Sequence, residues 1–223
     1  MHWTKHPECS HPEFSDRQRQ MLRGLLMGDA SVFDSGGRYP AFQLEMANRE
    51  FLAYLSEEFG VLCRDVKSHR SAAEAARHSR ENGANEDASA EDYSDTFSFN
   101  LRSHPGLEEF FQWYDSGEKV FPSDLELTPV VLKMWYVCDG SVKWGNSVSK
   151  GSMRIGVGNE LENKSKLFSY FDGLDVSPRL SGWNLYFDHS DSVKLLEYIG
   201  SPLPGFGYKW RIDSKRDYLR LRD

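Results

Sequence analysis

"LTPVVLKMWYVCDGSVKWG", Leu127 to Gly145, is the stretch that decides the fold. Thr128-Pro129 starts a helix: the hydroxyl caps it, and proline's missing N–H costs nothing at the first helical position. An apolar run continues to about Cys138, halts at Asp139-Gly140 and gives way to the strand-like "SVKWG". "MLRGLLMGDASVF", Met21 to Phe33, has the same order: apolar helix, Asp29, strand. The two acids stand 139 − 29 = 110 residues apart, close to half of the 223-residue chain. Self-similarity at that distance predicts an internally repeated architecture.

The segments around these motifs extend the repeat. Ser15 caps a helix over Asp16 to Gly28, with Leu22, Leu25, Leu26 and Met27 at the apolar positions. Gly24 and Gly28 form a small-xxx-small pair that lets a second backbone approach closely. "ASVFD" and "RYPAFQLEM" flank Ser35-Gly36-Gly37 as a hairpin. "NREFLAYLSEEFG" reads as an amphipathic helix, "VLCRDVKSH" and "TFSFNLRSH" as strands, and "PGLEEFFQWYDSG" as a helix with Pro105 at its start and Gly117 past its end. After Leu127 the order returns: a helix, strands at "SVKWG" and "SMRIGVG", a helix at "ENKSKLFSYFD", strands at "VSPRL" and "WNLYFDH", and a helix at "SDSVKLLEYIG". Each half is therefore helix, two strands, helix, two strands, helix.

Composition sets outer bounds. Hydrophobic residues make up 39% and charged residues 27%, as in a globular chain. No run approaches ~18 apolar residues, so no membrane span is expected. "MHWTKHPECSHPEF" lacks the apolar core of a signal peptide. Cys9, Cys63 and Cys138 are odd in number and widely spaced, which fits a reducing compartment rather than a disulfide framework. The net charge of −7 speaks against nucleic acid until its distribution is considered. Arg70 to Thr96 holds seven acids and three bases, net −4, and reads as a long, partly disordered acidic loop whose Ala-rich start could make a short helix. Tyr208 to Asp223 holds six bases and three acids, net +3. Arginines outnumber lysines 16 to 11, and an acid-rich, lysine-poor chain hints at a high-salt source.

Either aspartate alone is explained by a helix-end turn. Both at matching points of a repeat call for more. If the two helices pack side by side, their ends bring two carboxylates together, and such a pair repels itself unless cations bridge it. Oxygen ligands of this kind suit Mg²⁺.

"LRGLLMGDA" and "LKMWYVCDG" resemble the two signature helices of the single-chain LAGLIDADG homing endonucleases, and "LTPVVLKMWYVCDGS" resembles the motif of the intron-encoded branch. "YPAFQLEMANREF", "EKVFPSDL" and "PGFGYKW" are similar to further segments of that branch, so the resemblance runs from about Arg17 to Trp210. It implies an α+β fold of two pseudo-symmetric αββαββα subdomains, their antiparallel sheets forming a saddle over DNA and the LAGLIDADG helices packed at the subdomain interface. On this chain that means a tail over 1–15, a first subdomain over 16–117 with the acidic loop at 70–96, and a second over 118–223. The resemblance further implies Mg²⁺-dependent cleavage of both strands of a long duplex site, with Mn²⁺ as a substitute and 3′ overhangs as the product. Asp29 and Asp139 would be the metal-binding acids, with Ala30 and Gly140 beside them in the metal set. Lys119 and Lys209 would be the bases of the two active sites, and Gln43 a polar residue near the water network.

Reading a long site needs donors and acceptors aimed into the major groove. The strands supply Arg38, Gln43, Asn100 and Arg102 in the first half, and Lys143, Arg154, Arg179 and Asn184 in the second. Strand alternation sends only one side of each strand to DNA, so the other reading of each is a solvated sheet face. Lys133 and Cys138 replace the small or acidic residues usual at their motif positions, while no catalytic group is missing. Alternative readings are an RNA maturase that assists intron splicing and a DNA-binding relative without catalysis; an intein is disfavoured, as no splicing-block residues are present. A monomer is expected, in the cytoplasm near the nucleoid of a prokaryote or virus-infected cell, or in an organelle. His2, His6, Cys9 and His11 lie within ten residues, at a spacing that matches no standard zinc pattern. Phe110, Phe111, Trp113 and Tyr114 read as core rather than as a base-stacking platform.

Overall fold

The computed structural model describes residues 11–115, 117–145 and 149–222. The histidine and cysteine cluster falls, apart from His11, outside the described residues. The chain divides into two compact units: Ala30–Leu107 with the short segment preceding Glu13, and Glu13–Asp29 with the residues after Leu107. In this division the first helix and residues 108–117 pack with the second unit.

In the first unit β1 (Ser31–Phe33) and β2 (Ala41–Met46) form a hairpin, α2 (Arg49–Phe59) follows, and β3 (Lys67–Arg70) and β4 (Thr96–Asn100) complete an antiparallel sheet of order β1-β2-β4-β3. Asn48 caps α2 by accepting the Phe51 amide at 3.0 Å. Alternation buries Phe42, Leu44 and Phe99 on one face of the sheet, and Phe51, Leu52 and Leu55 of α2 are buried with them. The acidic loop between β3 and β4 carries α3 (Ala72–Glu81) at its Ala-rich start, where a short helix was expected. A capping box between Ser71 and Glu74 starts that helix, Asp95 accepts the Ala72 amide at 2.8 Å, and Ala76 and Ala88 are buried. Local capping and small-residue burial thus hold the helix in an otherwise polar segment.

The second unit holds α1 (Asp16–Met27), α4 (Glu108–Phe111), a two-stranded hairpin of β5 (Tyr114–Asp115) and β6 (Glu118–Lys119), α5 (Pro129–Asp139), β7 (Gly140–Trp144), β8 (Gly151–Gly156), α6 (Lys164–Ser169), β9 (Arg179–Ser181), β10 (Asn184–Tyr186), α7 (His189–Ile199) and α8 (Lys215–Arg222). Its larger sheet runs β7-β8-β10-β9, the same connectivity as in the first unit. Trp135, Met153, Ile155, Leu167 and Leu185 are fully buried in its core. The long helix expected over "PGLEEFFQWYDSG" is a 3-10 turn at Pro105–Leu107 followed by the short α4. Gly117, at φ +89°, is not a helix stop but part of the turn into β6.

α1 and α5 lie against each other within this unit. Their starts are tied where Thr128 Oγ1 bonds Gln20 Oε1 at 2.7 Å, and Thr128 also caps α5 through the Val131 amide at 3.3 Å. Ser15 and Gln18 cap α1 reciprocally, at 3.2 and 2.9 Å. The small residues decide the spacing. A Cβ at Gly24 would stand 2.6 Å from Met134 Cβ and closer still to the Val131 carbonyl, so glycine is required there. A Cβ at Gly28 would collide with Cys138 Cβ, so glycine is required there too. Lys133 stays half-exposed and lies near Gly200, at the end of α7.

Candidate active site and nucleic-acid face

The paired helices end side by side, and this brings the acids together. Asp139 is the last residue of α5, and Asp29 follows Gly28, the residue that closes α1 on the Leu25 carbonyl. Asp139 is half-buried, whereas Asp29 keeps an exposed side. Burial pushes the Asp139 carboxyl up to about 7, the Asp29 charge adds to that, and the ammonium groups of Lys119 and Lys209 pull the other way. Burial raises Asp29 too, against the same two lysines. A pair of this kind stores repulsion that a cation relieves.

Each lysine is fixed by helix-end carbonyls. Lys119 Nζ donates to the Gly28 carbonyl at 2.8 Å. Lys209 Nζ donates to Val137 O at 2.7 Å and Tyr136 O at 3.3 Å, while the Tyr136 hydroxyl returns a 2.9 Å bond to the Lys209 carbonyl. Lys209 is 5% exposed and lies over the Phe206 ring at 4.9 Å. Burial lowers both lysines, Lys209 to about 8, and the nearby acids oppose the fall. The Cys138 thiol between these groups is raised by burial and stays protonated.

A cavity of about 180 Å³ opens at this point, lined by Met27, Gly28, Lys119, Asp139, Val157 and Glu160 among others. The donor set fits a hard cation, being carboxylate oxygens with the neighbouring thiol protonated. Among the described residues no cluster of three or more His, Cys, Asp or Glu could enclose a metal alone. Two carboxylates plus water and phosphate oxygens match the way Mg²⁺ is usually held.

The sequence-derived contact residues of the second unit fall on one sheet face. The register sets Ser141 against Arg154, Arg154 against Tyr186 and Tyr186 against Arg179, a row across four strands. Lys143 and Asn184 share that parity, opposite the buried face of Val142, Met153, Ile155 and Leu185. Arg154 Nε is steadied by Ser141 Oγ at 2.7 Å, and Lys143 Nζ sits 4.6 Å over the Tyr186 ring. In the first unit Gln43 and Asn100 stand in register on the face opposite Phe42 and Leu44. Gln43 bonds Glu45, whose other oxygen pairs with His69 at 2.9 Å. Arg38 is exposed beside the Tyr39 ring, whereas Arg102 Nε is committed to the Val61 carbonyl at 3.1 Å. Gln43 and the buried Ala30 belong to the first unit, whereas Gly140 opens β7 and closes α5 through its amide on Tyr136 O. Sequence reading missed Tyr186, the Glu45–His69 pair and Glu160, since each takes its place from strand register or long-range packing.

The model of the LAGLIDADG DNA endonuclease family matches residues 19–174, more than half of the chain, and spans both acid-ended helices. The chain belongs to the LAGLIDADG DNA endonuclease family. Among solved structures, this LAGLIDADG protein is similar to the homing endonuclease I-WcaI bound to its DNA recognition sequence, with TM-score 0.70, 15% identity, and coverage of 89% of this chain and 88% of that one. It is also similar to full-length DUF199/WhiA from Thermatoga maritima, with TM-score 0.50, 11% identity, and coverage of 96% of this chain and 63% of that one. At such identities the likeness is one of fold. Among curated proteins none matches the chain.

Proposed function

We propose that this LAGLIDADG protein is a site-specific double-strand DNA endonuclease. It hydrolyses phosphodiester bonds of a long duplex site with a divalent metal, acts as a monomer and leaves 3′ overhangs. The observation that carries the reading is the meeting of Asp29, Asp139, Lys119 and the buried Lys209 at the ends of two paired helices. Family membership supports DNA as substrate, as does a fold like that of an endonuclease held on its recognition sequence.

Asp29 and Asp139 would hold the divalent cation, Mg²⁺ or Mn²⁺. Such an ion, when bound, supplies Lewis-acid stabilisation of the phosphate and a more acidic water. The chain's own groups do the rest. A cation held there would favour the charged form of Asp139, whose affinity for a proton is raised by burial and by the Asp29 charge. Lys119 and Lys209, held by backbone carbonyls, offer positive charge where negative charge grows on the phosphate. Lys209, at about 8, also lies in the range where an amine exchanges protons near neutrality. The open sheet face of Lys143, Arg154, Arg179 and Asn184 would read and clamp the duplex.

The test is DNA cleavage by Asp29→Asn and Asp139→Asn beside the parent protein. Each substitution keeps the shape and removes the charge. Loss of cleavage with DNA binding retained supports the reading. A parent that binds structured RNA and cuts no duplex would favour the maturase.

A further inference from the structure

Both ammonium groups rest on helix-end carbonyls, but the backbone that carries each lysine is held by different means. Lys209 is locked directly onto α5, through Val137 O, Tyr136 O and the returning Tyr136 hydroxyl. Lys119 sits on the short β6, and its strand has to be fixed from outside. The segment after it is gripped at successive residues. The Val120 amide donates to Trp113 O at 2.7 Å. The Phe121 amide donates to Glu160 Oε1, and the Phe121 carbonyl accepts from Lys166 Nζ at 2.9 Å. The Pro122 carbonyl accepts the Tyr170 hydroxyl at 2.7 Å.

Glu160 and Lys166 are themselves paired at 2.6 Å, and Glu160 is 3% exposed. Asn163 Nδ2 adds a 3.1 Å bond to Glu160 Oε2. Three groups of the protein thus bond this carboxylate, one at Oε1 and two at Oε2, although it lines the cavity of Asp139 and Lys119. An ion pair so buried gains little stability over apolar groups and is best understood by what it orients. What it orients is both polar groups of one peptide residue, Phe121, two positions beyond Lys119.

We propose that the Glu160–Lys166 pair is a positioning device for Lys119, and through it governs cleavage of one DNA strand but not the other. The strand-specific part rests on the endonuclease reading above; the positioning part does not. The second strand depends on Lys209, whose fastening shares no residue with this clamp.

The test uses the full chain carrying Glu160→Gln with Lys166→Met, which removes the charged pair without leaving a lone buried charge. Each strand of the duplex carries its own fluorophore. The single-turnover rate for one strand is expected to fall about 10–100-fold, as a misplaced group predicts, with the other strand and the DNA affinity unchanged within about twofold. Equal slowing of both strands, or slowing of neither, overturns the proposal. A second readout needs no cleavage: pulse acylation of lysines followed by mass spectrometry. Lys119 should react slowly in the parent and approach the rate of exposed Lys150 in the variant, while Lys209 stays slow. An unchanged Lys119 rate refutes the clamp. A parent that cuts no DNA refutes the endonuclease reading and leaves the clamp to be judged on acylation.

Discussion

At the scale of single residues, the acids carry a cost that the metal-free protein bears. Asp139 is pushed up from 3.8 to about 7, so the folded state binds its proton more tightly than the unfolded chain does. Stability from this group is therefore highest below about pH 4 and is lost as pH rises through about 7. Thermal melts of metal-free protein should show this fall, Asp139→Asn should flatten it, and Mg²⁺ at pH 8 should raise the parent's Tm and not the variant's. No change of Tm with Mg²⁺ would count against Asp139 as a ligand. Lys209, lowered to about 8, acts oppositely: its strain is present while it is charged and fades as pH rises from about 8 to 10.5. Asp29 and Asp139 were legible in the sequence because repeated helix ends mark them, whereas Lys119 and Lys209 were picked out only through the family resemblance of their segments. Glu160 was not: its partners Phe121 and Lys166 lie 39 and 6 residues away, and no periodicity announces them.

At the scale of elements, the α1–α5 contact is the part most sensitive to size. Gly24→Val places side-chain atoms where Val131 O and Met134 Cβ already are. It should cost about 1–3 kcal/mol or more, read as a lower urea midpoint. Gly145→Ala, which meets nothing within 4 Å, should stay within about 0.5 kcal/mol. An equal effect of both changes would mean that the close helix approach is absent in solution. The sequence pattern revealed this contact because Gly24 and Gly28 share one helix face. It misjudged "PGLEEFFQWYDSG", where apolar residues at helical spacing suggested one long helix. Chain reversal at Gly117 takes the backbone into the β5–β6 hairpin instead, and that hairpin is what carries Lys119. α8 was missed because its residues are mostly charged, with Tyr218 its one buried anchor.

At the scale of the whole molecule, a chain of net charge −7 must gather its positive charge locally to hold DNA. Under the proposed function the row of Arg154 and Arg179, with Lys143 beside it, would do this on one face of the second unit's sheet. Arg179→Ala should weaken DNA binding and, if the residue meets a phosphate, reduce the slope of log K against log salt by about 1. Arg102→Ala should affect stability more than affinity, since its guanidinium supports the Val61 carbonyl. The succession of helices and strands in each half was legible from the repeated motif order, whereas the sheet orders β1-β2-β4-β3 and β7-β8-β10-β9 come from strand pairing. The assignment of α1 to the second unit was not, because it depends on packing against α5 rather than on chain order. The central claim is metal-dependent DNA cleavage at the paired helix ends, and one measurement tests it most directly: digestion of a randomised duplex library with Mg²⁺, at low and high salt, by the parent and by the Asp29→Asn, Asp139→Asn double variant. Cuts at one sequence with short 3′ overhangs, made by the parent and not by the variant, are the predicted result. A folded parent that makes no cuts in any salt, or a variant that cuts as well as the parent, would contradict it.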